Sequence, residues 1–263
     1  MSRYQASFYH FLISLGIFVV LAYLVLVQWY PDFFFAIDGG WEGMRIIIGV
    51  DLILGPLLTL VVFKAGKPGL KFDLMMIALI QGGALIAGTW IVYSERPTFF
   101  VYYDRAFYSS SGDTFERYGV PAPNPADFGD TTPVRVASVL PENPIEEADF
   151  RKILYQSRLP AWVYQRTYVP LADEMDDVIA SGMDEATLRE RDSEGNLDRW
   201  IAAEGGVFDD YAFLPIHSRY RSAFIGVRKS DRTLVDIVEI SAPLSRESNE
   251  ETSRDVIPAA GER

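Results

Sequence analysis

Residues 44–93 read MRIIIGVDLILGPLLTLVVF (44–63), KAGKPGLKFD (64–73) and LMMIALIQGGALIAGTWIVY (74–93). Two apolar runs flank a short loop that carries three lysines, Lys64, Lys67 and Lys71. About 20 apolar residues in a helix cross a hydrocarbon core of about 30 Å. This stretch therefore reads as a membrane hairpin, and the rest of the chain is placed relative to it.

Upstream, Phe8 to Trp29 (FYHFLISLGIFVVLAYLVLVQW) holds no Asp, Glu, Lys or Arg. It is longer than the 7–15 apolar residues of a secretory signal and lacks a small-residue cleavage site, so it reads as an uncleaved anchor. Three spans are expected, at about 8–29, 43–63 and 72–93. Short loops rich in Lys and Arg stay cytoplasmic. Arg3 precedes the first span and the lysines fill loop 64–71, whereas loop 30–42 has neither residue type. The N-terminus is thus expected in the cytoplasm and everything after about residue 95 outside it. Trp29, Tyr30, Trp41, Trp90 and Tyr93 fall at the outer interface in this arrangement, as an aromatic belt does. The triplet Phe33–Phe35 is expected at that interface too.

Charge divides the 263 residues in the same place. Residues 1–96 hold six basic and six acidic residues, so the net charge of −12 lies entirely in 97–263. An acidic outer part argues against a nucleic-acid partner. The chain has no cysteine, which removes disulfides, thiolate catalysis and Cys-type metal sites. The expected fold is a membrane protein with three N-terminal transmembrane helices followed by a single α+β extracytoplasmic domain. Its units are a bundle at 1–95, a domain at 96–242, and a polar acidic tail at 243–263 with no period, expected to be disordered.

Within the domain, TFFVYYDRAFY (98–108) reads as one aromatic strand and 109–132 as a long loop. PVRVASVL (133–140) and WVYQRTYVPL (162–171) read as strands. Pro144–Gln156 reads as a helix with acidic residues in its first turn. Residues 173–192 fit one or two short helices. The runs 212–229 and 233–240, joined at Ser230-Asp231-Arg232, read as a hairpin.

Candidate chemistry is sparse. Asp51 sits inside the second span, where a carboxylate costs about 2.5–3.5 kcal/mol and should face protein. Two readings stand side by side: it pairs within the bundle with Arg45, His10, Ser14 or Gln81, or it contacts a transmembrane partner. Gly55-Pro56 follow, and the proline is expected to kink the helix. Gln81, Gly82 and Gly83 open a pattern of small residues on the third span (Ala78/Gly82, Gly83/Ala87, Ala84/Gly88) that suits close helix packing, inside the bundle or against a partner. Asp51, Gly55, Pro56, Gln81, Gly82 and Gly83 are therefore the candidate partner-binding residues. The acidic residues Asp173, Glu174, Asp176, Asp177, Asp184 and Glu185 read as a solvated helix face rather than a cation site, and 192–198 as a turn. His217 reads as a core or cross-strand histidine. No nucleophile-elbow, phosphate-loop, dinucleotide or zinc-protease motif occurs. No catalytic residue, cofactor or metal is expected.

The central stretch resembles the type IV pilin accessory proteins, the TfpX/TfpZ family. The resemblance rests on Gly49-Val50-Asp51-Leu52-Ile53-Leu54-Gly55-Pro56-Leu57-Leu58-Thr59, Lys64 and Lys67, Leu70-Lys71-Phe72-Asp73-Leu74, Gln81, Glu95-Arg96-Pro97 and Asp104-Arg105. It covers residues 40–107. The resemblance implies a non-enzymatic inner-membrane protein that assists assembly or surface display of a major type IV pilin. The implied partners are that pilin or pilus assembly subunits, besides membrane lipids. The first span lacks a prepilin processing site, so the chain is not itself a pilin. The competing reading is a membrane-anchored sensor or ligand-binding domain, with Phe99, Phe100, Tyr102, Tyr103, Phe107 and Tyr108 as pocket lining.

Overall fold

The computed structural model describes residues 1–240. The tail expected from residue 243 lies outside the described residues. Among the described residues, three helices are long and apolar enough to cross a membrane: Arg3–Trp29, Gly40–Val62 and Leu70–Ser94. Each contains nearly all of an expected span. Ser2 starts the first helix by accepting from the Gln5 amide while the Gln5 side chain accepts from the Ser2 amide, a reciprocal cap that satisfies two orphan donors. Gly39 and Gly69 precede the other two helices with φ of +90° and +81°, a conformation glycine enters without steric cost.

The second helix is α-helical to Ile47, π-helical over Ile48–Leu54, and α-helical again from Gly55. The widened turn ends just before Pro56, which has no amide hydrogen to give the regular ladder. The expected disturbance at the proline takes this form.

Beyond the helices lies a mixed seven-stranded sheet. The strands are β1 (Pro97–Tyr103), β2 (Ala106–Ser111), β3 (Val134–Ser138), β4 (Tyr168–Pro170), β5 (Tyr211–His217), β6 (Ala223–Arg228) and β7 (Thr233–Val238). Their spatial order is β4-β3-β1-β2-β5-β6-β7. The β1–β2, β3–β4, β5–β6 and β6–β7 pairs are antiparallel, and β1–β3 and β2–β5 are parallel. Side chains alternate across the sheet. Phe100 and Tyr102 enter one core while Phe99 and Val101 enter another on the opposite face. The first face carries one continuous core from Ala137 to Val227; the second carries two, around Trp162 and around Trp200. Apolar demand on both faces explains why β1 and β2 read as an unbroken aromatic run.

Several expectations change. Residues 98–108 form a hairpin, because Asp104 and Arg105 both take positive φ, 47° and 62°, in a two-residue turn that matches strand twist. The loop expected at 109–132 holds the end of β2 and a helix, Gly112–Arg117, capped by Ser111 and anchored by buried Phe115. Only Tyr168–Pro170 of 162–171 is strand; single turns at Ala161–Val163 and Gln165–Thr167 use the rest. The expected hairpin at 212–240 is a three-stranded meander, broken at 218–222. A helix, Asn196–Glu204, begins inside the stretch expected as a turn and buries Leu197 and Trp200.

The largest difference concerns the loop between the first two long helices. Phe33, Phe34 and Ile37 are not at a lipid interface. They are buried in the core of the sheet, with Phe100, Phe107 and Leu214. Only Phe35 turns back, with its ring 6.4 Å from that of Trp41. The loop is thus a structural part of the sheet domain.

Candidate functional site in the helical bundle and at its seam with the sheet

Polar side chains gather where the long helices cross. Ser14, Asp51, Thr59 and Gln81 are all buried. The Ser7 hydroxyl donates to the Pro56 carbonyl at 2.8 Å, and His10 Nδ1 lies 2.6 Å from Thr59 Oγ1. Gln81 Nε2 donates a long bond to the Val50 carbonyl at 3.4 Å. A Cβ built on Gly55 falls 2.2 Å from Gln81 Nε2, so glycine there is what lets the glutamine cross. Asp51 has Ser14 and His10 beside it. Arg45, another partner considered for it, pairs with Glu42 at 3.6 Å. Asp51 Oδ2 and Gln81 Oε1 have no hydrogen-bond partner among the described residues.

The structure therefore brings Asp51, Gly55, Pro56 and Gln81 together inside the bundle. Gly82 and Gly83 are elsewhere. A Cβ on either, or on Gly88, meets no atom within 4 Å. Gly83, Ala84 and Ala87 are exposed. The small residues of the third helix face away from this chain's other helices.

A second polar group lies at the seam between helices and sheet. The Tyr30 hydroxyl donates to the Val92 carbonyl at 2.8 Å. Asp38 is buried, and the Ser109 hydroxyl donates to its Oδ2 at 2.6 Å. Burial pushes the Asp38 carboxyl up to about 7, against the opposing pull of hydrogen bonds from Ser109 and the Arg219 backbone. The Ser218 hydroxyl donates to the Ile37 carbonyl at 2.8 Å. Gly39 lies so close under Tyr220 that a Cβ would fall 2.3 Å from the ring. Glu95, at the end of the third helix, forms an ion pair with Arg219 and another with Arg117 at 3.9 Å. Asp38, Glu95, Ser109, Ser111 and Arg219 line a water-sized cavity. Sequence reasoning passed over this cluster. Its one signal is Asp38-Gly39-Gly40, an acidic turn directly after an apolar triplet in a short loop.

The remaining candidates take ordinary places. Asp176 pairs with Arg232, Asp177 accepts from Tyr102, and Asp184 caps a helix through the Thr187 amide. No cluster of three metal-ligating side chains occurs among the described residues. The Asp192 carboxylate accepts from the amides of Asn196 and Leu197 at 2.9 and 2.7 Å, so the turn at 192–198 starts a helix. His217 stacks on Tyr108, with centroids 4.9 Å apart, and Tyr108 stacks in turn on Trp162 at 5.0 Å.

A protein of Dichelobacter nodosus, the fimbrial assembly protein of serogroups C1 and C2, is 36% identical over 96 residues, which are 35% of this chain and 72% of that protein. The chain belongs to the fimbrial assembly protein family. Two further members from the same organism are similar. The serogroup I protein is 37% identical over 108 residues, 40% of this chain and 42% of that protein. The serogroup E1 protein is 35% identical over 96 residues, 35% of this chain and 37% of that protein. The chain thus spans less than half the length of the serogroup I and E1 fimbrial assembly proteins. No family model and no solved structure matches the chain.

Proposed function

We propose that this fimbrial assembly family member is an inner-membrane accessory protein of the TfpX/TfpZ type, which assists assembly and surface display of type IV pili, and hence twitching motility, by contacting the major pilin. The observation that carries this reading is the match to 72% of a protein named for fimbrial assembly. The proposed role is non-catalytic, and the N-terminus is cytoplasmic with the sheet domain in the periplasm, in line with the lysines of loop 64–71.

The geometry supports a partner that is held in two places. The outward small-residue face at Gly83, Ala84 and Ala87 suits close approach of another apolar helix. Asp51, Gly55, Pro56 and Gln81 are too deeply buried to meet that helix directly. Gly55 and Gln81 set the crossing of the second and third helices, Asp51 and Pro56 face the first, and together they fix the angle at which the open face is presented. The sheet domain meets the partner's soluble part. Two linked weak contacts bind more tightly than either alone through effective concentration.

The test is photocrosslinking in the native host, with a crosslinking residue at exposed Ile86 on the third helix and another at exposed Tyr155 on the helix Pro144–Ser157. Recovery of the major pilin from both positions is the expected result. Recovery of other assembly proteins alone would move the contact to the machinery. Recovery of neither, with normal pili after gene deletion, would overturn the reading.

A further inference from the structure

The seam between bundle and sheet contains a carboxylate that its surroundings do not neutralise. Asp38 is 6% exposed. The titratable and charged groups of its cavity, and of the residues that line that cavity, come from every element packed there. Tyr30 ends the first helix. Glu95 and Arg96 end the third. Asp113 and Arg117 lie on the helix Gly112–Arg117, and Arg219 and Tyr220 on the connection from β5 to β6. Among the described residues, the only cation lining the cavity with Asp38 is Arg219, and its guanidinium is committed to Glu95, which Arg117 also approaches. What Arg219 offers Asp38 is its backbone N–H, and Ser109 offers a hydroxyl. Two carboxylates therefore share one cavity and one arginine. Burying a charge without its own counter-charge is costly, and such a group takes up a proton instead.

We propose that Asp38 is a proton-binding site that clasps the loop 30–42 to the sheet domain, so that the grip between bundle and sheet tightens when Asp38 is protonated and loosens when it is ionised. This inference does not depend on which partner the protein serves. The same residues make the clasp mechanically specific. Ser218 holds the Ile37 carbonyl, Tyr220 covers Gly39, and Phe33, Phe34 and Ile37 fill the core beneath. Opening the loop returns Asp38 to water and withdraws three apolar side chains from the sheet.

The direction with pH follows from linkage. The carboxyl rises from 3.8 in the open form to about 7 when clasped. Its contribution to the clasped form is complete below pH 3.8, and is lost as pH rises through 7. From pH 6 to pH 8 the clasped-to-open ratio should fall roughly tenfold.

The experiment is hydrogen–deuterium exchange on the full chain in lipid nanodiscs at pH 6 and pH 8, corrected for the intrinsic pH dependence of exchange. It reads the amides of residues 33–40. The wild type is expected to lose protection roughly tenfold between the two pH values, and Asp38→Asn to lose none. Glu95→Gln frees Arg219 to pair with Asp38 and should shift the loss of protection to lower pH. A wild type with equal protection at both pH values overturns the proposal, as does an Asp38→Asn variant that keeps the full pH dependence. Should that variant fail to fold, carboxyl-carbon NMR titration of wild-type Asp38 decides. A midpoint near neutrality supports the site, and one near 4 overturns it.

Discussion

The Phe34 ring meets the Phe100 ring edge-on, with centroids 5.2 Å apart and planes at 89°. Phe34 precedes the second long helix and Phe100 follows the third, so the contact closes over the whole hairpin. Phe100 also stacks flat on Phe107, at 4.6 Å and 6°. Edge-to-face and offset-stacked pairs add about 0.5–1.5 kcal/mol to the burial of the rings. Phe34→Ala should therefore cost about 3–5 kcal/mol, and Phe35→Ala, half-buried beside Trp41, much less. Thermal unfolding in detergent followed by near-ultraviolet circular dichroism checks this. Equal effects of the two substitutions would remove the loop from the core.

The helix Asn196–Glu204 is held by Trp200 lying on a backbone with no side chain. A Cβ on Gly226 falls 2.4 Å from the Trp200 ring. Gly226→Ala is expected to push the indole outward at about 1–3 kcal/mol. The measurement is urea denaturation, with amide exchange over residues 196–204 showing where the loss falls. Unchanged protection of that helix would contradict the contact.

His217 makes one contribution to stability that is lost on the acid side. Burial against Tyr108 lowers its pKa below 6.5. A base with a depressed pKa contributes stability above its unfolded value and loses it as pH falls below that value. The contribution of His217 should thus shrink from pH 7 toward pH 5, opposite in sign to that of Asp38. His217→Phe keeps a ring on Tyr108 and should flatten it. Denaturant midpoints at the two pH values, compared between the proteins, read the difference.

Gly55 and Gly83 separate packing within the chain from packing against a partner. Gly55→Leu collides with Gln81 and is expected to lower the melting temperature of the bundle. Gly83→Leu enters open space and should leave that temperature unchanged while cutting pilin crosslinking from position 86. Loss of stability in the Gly83 variant would return the small-residue face to the bundle.

Much of the helical half is legible in the sequence because length and hydropathy act locally. The three long helices follow from apolar runs, the disturbance at Pro56 from its missing amide hydrogen, and the inward turn of Asp51 from the cost of charge in lipid. The sheet is less legible for a physical reason. The 98–108 run is apolar on both faces, so period-two alternation is absent, and the turn rests on two left-handed residues, Asp104 and Arg105, that composition does not flag. The seam cluster was hidden because Asp38, Ser109 and Arg219 are far apart in sequence and meet only when the loop enters the core. Phe33–Phe35 looked like interfacial anchors because an aromatic triplet beside a span has the same composition whether it meets lipid or a sheet.

The loop's place in the core also bears on biogenesis. Loop 30–42 is made before the second and third helices, and the strands that need it come after them. Loop and sheet meet only once both intervening helices have folded back on one another. A chain in which they do not meet leaves Phe33, Phe34 and Ile37 apart from Phe100, and one face of its sheet lacks part of its apolar cover. Completion of the core therefore waits on the last strands made and ties the earliest loop to them.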